Sequence, residues 1–119
     1  MGINGQRIIV AGSRGVTDFE VVWDAVLESG FCIGEIVSGM ARGVDRLGIQ
    51  VAQTLGVEVV KFPADWGTHG RGAGFIRNQQ MADYADCLVA VWDGKSRGTQ
   101  DMINRMERAG KGIHVVVVG

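Results

Sequence analysis

The sequence predicts an α/β fold: a three-layer sandwich whose five-stranded parallel sheet has the order 3-2-1-4-5. Three observations predict it. Short apolar segments of strand character alternate with segments of helical periodicity along the whole chain. The strand segments are apolar at consecutive positions, as in a sheet covered on both faces. The breaks between segments fall on glycine, of which there are 19 against one proline.

Arg7-Ile8-Ile9-Val10-Ala11, closed by Gly12, reads as a buried strand. Asp18 can cap a helix that carries Phe19, Val22, Trp23, Val26 and Leu27 at helical spacing and stops at Ser29-Gly30. Glu35-Ile36-Val37-Ser38 is the second strand, closed by Gly39. Val44, Leu47, Gly48, Val51, Ala52 and Leu55 form the next helical stripe, stopped by Gly56. Val57 to Phe62 is the third strand, and Pro63 to Gly74 reads as a glycine-rich loop. Gly74 to Ala85 reads as a helix with a weak apolar face, and Asp86 to Trp92 as the fourth strand. Thr99, Met102, Ile103 and Met106 mark a fourth helix ended by Gly110, and Ile113 to Val118 is the last strand.

Composition narrows the functions. The 119 residues fit one domain spanning 1–119. A net charge of −1 supplies no global basic field, which argues against nucleic acid as the partner. Cys32 and Cys87 are too few for a disulfide framework or a four-ligand zinc site, and their apolar neighbours suggest buried thiols in a reducing cytosol. Met1 to Gln6 lacks the apolar core of a signal peptide, and no apolar run approaches the ~20 residues of a membrane span. The expectation is a cytoplasmic protein with no membrane contact, no metal and no cofactor.

The predicted topology puts the loops after strands one and four side by side where the strand order reverses, and ligands of such sheets bind there. Residues 92–103, WDGKSRGTQDMI, hold one of those loops. Gly94-Lys95-Ser96 looks like the end of a Walker phosphate loop, but the glycine this motif needs five residues earlier is Val89, inside a strand. The helix is also not expected to start directly after Lys95-Ser96. Another arrangement remains open: Gly98 allows close backbone approach, and Thr99 caps a helix whose N-terminus favours phosphate. Asp93, Gly94, Lys95, Ser96 and Arg97 complete the loop. After strand one, Gly12-Ser13-Arg14-Gly15 offers a hydroxyl and a guanidinium suited to bidentate phosphate contact. After strand two, Ser38-Gly39 leads through Arg42 to Asp45, which either contacts ligand or complements the helix dipole. The segment from Asp65 and Trp66 through His69 to Arg71 is long for a compact domain; Trp66 either stacks on a base or plugs the core edge. Arg77-Asn78 lies on the helix with few apolar residues, which favours a functional over a packing role. Glycine, hydroxyl and arginine thus recur after strands one, two and four, and a phosphate-bearing ligand accounts for this economically.

These motifs carry a resemblance. Gly12-Ser13-Arg14 with Asp18, Val37-Ser38-Gly39-x-Ala41-x-Gly43-x-Asp45, Ala64-Asp65-Trp66 followed by Gly70-Arg71-x-Ala73-Gly74-x-x-Arg77-Asn78-x-x-Met81, and Trp92-Asp93-Gly94-x-Ser96-x-Gly98-Thr99 resemble the YspA-type, YpsA-related branch of the SLOG superfamily. The resemblance implies a Rossmann-like fold, a nucleotide or nucleotide-derived ligand, and self-association as a homodimer through a helix pair. Relatives include the Lonely Guy phosphoribohydrolases and the DNA-processing protein A. The former carry an Arg-Lys pair before a methionine and a Pro-Gly-Gly-x-Gly-Thr loop followed by glutamate. Here Asn78 replaces the lysine, the Pro-Gly-Gly is missing and the acid is Asp101. If cleavage occurred, the resemblance would assign Arg77 to the ligand or leaving base, and Asp101 to the developing positive charge on the ribose or to an attacking water. Single-stranded DNA binding, by analogy with the DNA-processing relative, would draw on Arg14, Arg42, Arg71, Arg77, Lys95 and Arg97.

Overall fold

A computed structural model describes residues 5–119. Residues 1–4, on which most of the signal-peptide reading rests, lie outside the described residues. The strands are β1 (Gln6–Gly12), β2 (Ile33–Ser38), β3 (Glu58–Lys61), β4 (Cys87–Trp92) and β5 (Gly112–Val117). They form one parallel sheet in the order β3-β2-β1-β4-β5, as the sequence predicts. The helices are α1 (Phe19–Glu28), α2 (Val44–Leu55), the single turn α3 (Trp66–His69), α4 (Ala73–Tyr84) and α5 (Arg97–Arg108).

Side chains alternate across a strand, so each apolar strand supplies two cores. Ile8, Val10, Val89 and Val91 face α1 and α2, where Val22, Val26 and Val51 close the layer. Ile9, Ala11, Leu88 and Ala90 face the other way, against Met81 of α4 and Met102 and Met106 of α5. All six residues of β4 are buried, because this strand lies inside the sheet between β1 and β5 and is covered on both faces. Gly12 ends β1 beside Val91, and a Cβ there would collide with the Val91 carbonyl. Glycine at this position therefore lets the loops after β1 and β4 start side by side.

Four expectations are corrected. Residues 63–74 are not simply a loop: Asp65 caps α3 by accepting from the Thr68 N–H at 3.1 Å, and a 3-10 turn at Gly70–Gly72 joins α3 to α4. Helix α5 begins at Arg97, directly after Lys95-Ser96, so the segment's departure from a Walker loop rests on Val89 to Trp92, which are strand and not a glycine-rich loop. The N-cap position of α5 is Ser96; Thr99 is buried in the first turn, its hydroxyl 3.2 Å from the Ser96 hydroxyl. Cys32 is exposed, because it lies just before β2 and beyond the sheet's covered face, whereas Cys87 is buried in β4 and burial pushes its thiol up to about 11.

The weak apolar face of α4 has a structural answer. Its buried side chains are Ala73, Asn78, Met81 and Ala82, so one amide sits among three apolar groups. The Lys111 ammonium closes the other end by donating to the carbonyls of Ala82 at 2.6 Å and Ala85 at 2.7 Å. Among the described residues, no helix is long and apolar enough to cross a membrane.

Candidate functional site

The loops that follow β1, β2 and β4 converge through backbone and side-chain bonds. The Ser13 N–H donates to the Val91 carbonyl at 3.1 Å, and the Ser13 carbonyl accepts from the Val44 N–H at 3.3 Å. The Ser13 hydroxyl accepts from the Asp93 N–H at 3.0 Å. Ser13 is therefore the knot that ties the three loops. Gly43, at φ 75°, packs its backbone against Ser13 and Arg14, where no side chain would fit.

Between these loops and α4 lies a cavity of about 280 Å3. Its floor is the carboxyl end of β1 at Ala11 and Gly12. The starts of α2 and α5 contribute Asp45 on one side and Ser96, Gly98 and Thr99 on the other. Arg14, Arg71 and Arg77 bring three cations, and Trp66 and Phe75 stand half-exposed at the mouth. Arg14, Arg77 and Thr99, drawn from three separate stretches of sequence, thus share one cavity.

The start of α5 is chemically open. Ser96 makes no side-chain cap bond, and the first intrahelical donor is Gln100, whose N–H reaches the Ser96 carbonyl at 3.0 Å. The amides of Arg97, Gly98 and Thr99 consequently lack intrahelical partners, which is the arrangement that receives an anion. By contrast α1 is closed by the Asp18 carboxylate, 2.9 Å from the Glu20 N–H.

Arg77 crosses the site. Its Nη1 donates to the Gly39 carbonyl, and its Nε donates to Asn78 Oδ1 at 3.1 Å. Burial lowers its pKa and Arg14 adds to this, while the Asp45 charge opposes it. Asp45 is 5% exposed, and burial raises its carboxyl from 3.8 to about 6. The Ala41 N–H, 3.2 Å from Oδ2, and the Arg77 charge work in the opposite direction without cancelling this.

The other sequence candidates serve the framework or lie elsewhere. Asp93 accepts from the N–H groups of Lys95 at 2.8 Å and Ser96 at 3.0 Å, which shapes the loop and holds its carboxyl below the usual range. Gly94 provides the positive φ of that turn, 79°. Ser38 is fully buried and donates to the Asp45 carbonyl at 3.0 Å. Asp65 caps α3, and Gly39 lies under the Arg77 guanidinium. Asp101 stands outside the cavity lining: its Oδ2 accepts from Asn78 Nδ2 at 3.0 Å and pairs with Arg105 Nε at 2.8 Å. Asn78 lines the cavity but also joins α4 to α5, since its Nδ2 reaches the Gly98 carbonyl at 3.1 Å. Lys95, Arg97 and His69 do not line the cavity. Sequence reasoning passed over Phe75, whose only signal is an apolar residue opening a polar helix. Among the described residues, no three His, Cys, Asp or Glu side chains are grouped to hold a metal.

The family model of the YspA, cpYpsA-related SLOG family matches residues 6–69, which include β1, β2, β3 and the first two loops of the site. The Gene 61 protein of Mycobacterium phage D29 is 32% identical over 115 positions, covering 88% of this chain and 91% of the phage protein. DNA processing protein A (DprA) from Streptococcus pneumoniae superposes with a TM-score of 0.76 at 15% identity, over 97% of this chain. The chain spans about half of that neighbour, 51%, and the likeness is one of fold. With the family model matching more than half of its residues, the chain belongs to the YspA, cpYpsA-related SLOG family.

Proposed function

We propose that the protein binds a nucleotide or nucleotide-derived phosphorylated molecule at the carboxyl edge of its sheet, as a sensor or ligand-processing domain. One observation carries the reading: the uncapped start of α5 opens into the same cavity as Arg14, Arg77 and Trp66. A phosphate would accept from the amides of Gly98 and Thr99 and from the two guanidiniums, with the Ser96 hydroxyl beside it. The base would lie against the Trp66 ring, which is 54% exposed at the mouth. Titration calorimetry with the four common nucleoside 5'-monophosphates tests this. Saturable binding is expected for at least one, weakened about tenfold or more by Arg14→Ala or Arg77→Ala. Absence of saturable binding across the panel would overturn it.

A second reading, hydrolysis of the base–ribose bond, has one observation in its favour. Asp45 lines the cavity and changes protonation at about pH 6, so it could exchange a proton beside a bound nucleotide. Chromatography of the same nucleotides after incubation should then reveal released base, with release lost in Asp45→Asn. Intact nucleotides would eliminate it. The homodimer implied by the resemblance is likewise a proposal; light scattering at the 12.7 kDa mass of one chain would refute it.

A further inference from the structure

A second cavity of about 280 Å3 adjoins the first, along the loops that follow β2 and β3. The two have Arg14, Ala41, Trp66 and Arg77 in common, so they are compartments of one groove. The second compartment is lined by four arginines, Arg14, Arg42, Arg46 and Arg77, and by no carboxylate. In a chain with 13 acidic and 12 basic residues, this is a local concentration of one sign. Among the described residues the ion pairs involve Arg7 and Arg105, and the arginine side-chain hydrogen bonds come from Arg7, Arg77 and Arg105. Arg14, Arg42 and Arg46 have no such partner there.

The segment from Ser38 to Asp45, which carries Arg42 and leads into Arg46, is held in one shape. The Ser38 hydroxyl accepts from the Met40 N–H at 3.2 Å and donates to the Asp45 carbonyl at 3.0 Å. Asp45 Oδ2 accepts from the Ala41 N–H. Met40 sits at φ 66°, a conformation unusual for a side-chain-bearing residue and retained only where its surroundings fix it. Like charges from the loop after β1 (Arg14), this fixed loop (Arg42), the first turn of α2 (Arg46) and α4 (Arg77) are thus gathered around one compartment, where they repel one another unless an anion lies between them.

We propose that this compartment is a second phosphate subsite, and that the ligand is a nucleotide with two phosphoryl groups. The first phosphate lies at the start of α5, as in the nucleotide reading on which this inference rests. The second lies among Arg14, Arg42 and Arg46. Arg14 and Arg77, shared by both compartments, stand at the junction and contact either group. The groove is a poor track for single-stranded nucleic acid, which needs a continuous basic channel with successive stacking platforms. Here the first compartment contains the Asp45 carboxyl, and the net charge is −1.

The test compares, for each of the four bases, the 5'-monophosphate, the 5'-diphosphate and the 3',5'-bisphosphate by titration calorimetry. A ten-nucleotide oligothymidylate completes the set. At least one two-phosphoryl nucleotide should bind ten times tighter or more than its monophosphate. The R42A/R46A double variant should erase that preference and leave monophosphate affinity within twofold. Both arginines are exposed, so the variant should keep the parent's circular dichroism and melting temperature. The diphosphate and bisphosphate arms tell adjoining from separated phosphates. If a monophosphate binds as tightly as both, the second subsite is refuted and the nucleotide reading survives. If the double variant weakens mono- and bisphosphate alike, the arginines act as a general field and the subsite is again refuted. Binding of the oligonucleotide alone, or of nothing, overturns both readings.

Discussion

Asp45 holds its proton more tightly in the folded chain than in the unfolded one, because burial raises its pKa from 3.8 to about 6. The folded state binds more protons between those values, so the stability this group contributes falls as pH rises from 4 through 6 and stays low above. A shift of two units corresponds to about 3 kcal/mol. Asp45→Asn removes this dependence: between pH 4 and 7, its stability relative to the parent should improve by up to about 3 kcal/mol in urea unfolding. A difference that is flat across that range would contradict the buried carboxyl. At Gly98 the expectation is opposite for stability and function. A Cβ there would meet nothing within 4 Å, so the fold does not require glycine. Gly98→Ala should keep or raise the melting temperature, since alanine is the better helix former. Its methyl would nevertheless stand where phosphate approaches, and nucleotide affinity should fall about tenfold. Unchanged affinity would move the phosphate away from α5.

At the scale of elements, α4 and α2 are placed by different means. Helix α4 has little apolar surface, and Asn78 fastens it to α5 through Gly98 and Asp101 while fixing Arg77 through its own oxygen. Asn78→Ala should lose about 1–3 kcal/mol, because buried polar groups lose their partner. It should also weaken nucleotide binding by releasing Arg77; denaturation and titration of the same preparation check both. Helix α2 lies close on β1 at Gly48, where a Cβ would come within 2.8 Å of the Val10 Cβ. Gly48→Ala should therefore destabilise by about 1–3 kcal/mol in denaturant, despite its helix propensity. The contrast with Gly98→Ala separates a glycine required by packing from one required by a ligand. The role of α4 was half-legible in the sequence: its sparse apolar residues marked Arg77 and Asn78 as unusual, but not that Asn78 joins two helices, since its partners lie 20 and 23 residues away.

For the whole molecule, the site draws on the loop after β1 and the starts of α2, α4 and α5, so a bound nucleotide would tie together both faces of the sheet. A ligand at a hundred times its dissociation constant stabilises by about 2.7 kcal/mol. In a domain of this size that raises the melting temperature by roughly 10 °C. Differential scanning fluorimetry with the tightest nucleotide should show this rise, and a melting temperature that ignores saturating ligand would contradict a site built across both layers.

The strand order, the helix layers on both faces and the edge where the loops after β1 and β4 meet were determined by the sequence alone. Strand and helix periodicities are local, and a chain of alternating apolar strands and helices has few ways to cover both faces of a sheet. Tertiary structure decided which carboxylate faces the cavity. Asp101 follows Thr99 by two residues, and on a helix residues two apart do not share a face; with Thr99 toward the cavity, Asp101 turns to Asn78 and Arg105. Asp45 comes to the site from the first turn of α2, and Arg46 to the neighbouring compartment from the same turn. Such meetings depend on how helices dock and how deeply each side chain is buried, and these are set by contacts between residues far apart in the chain.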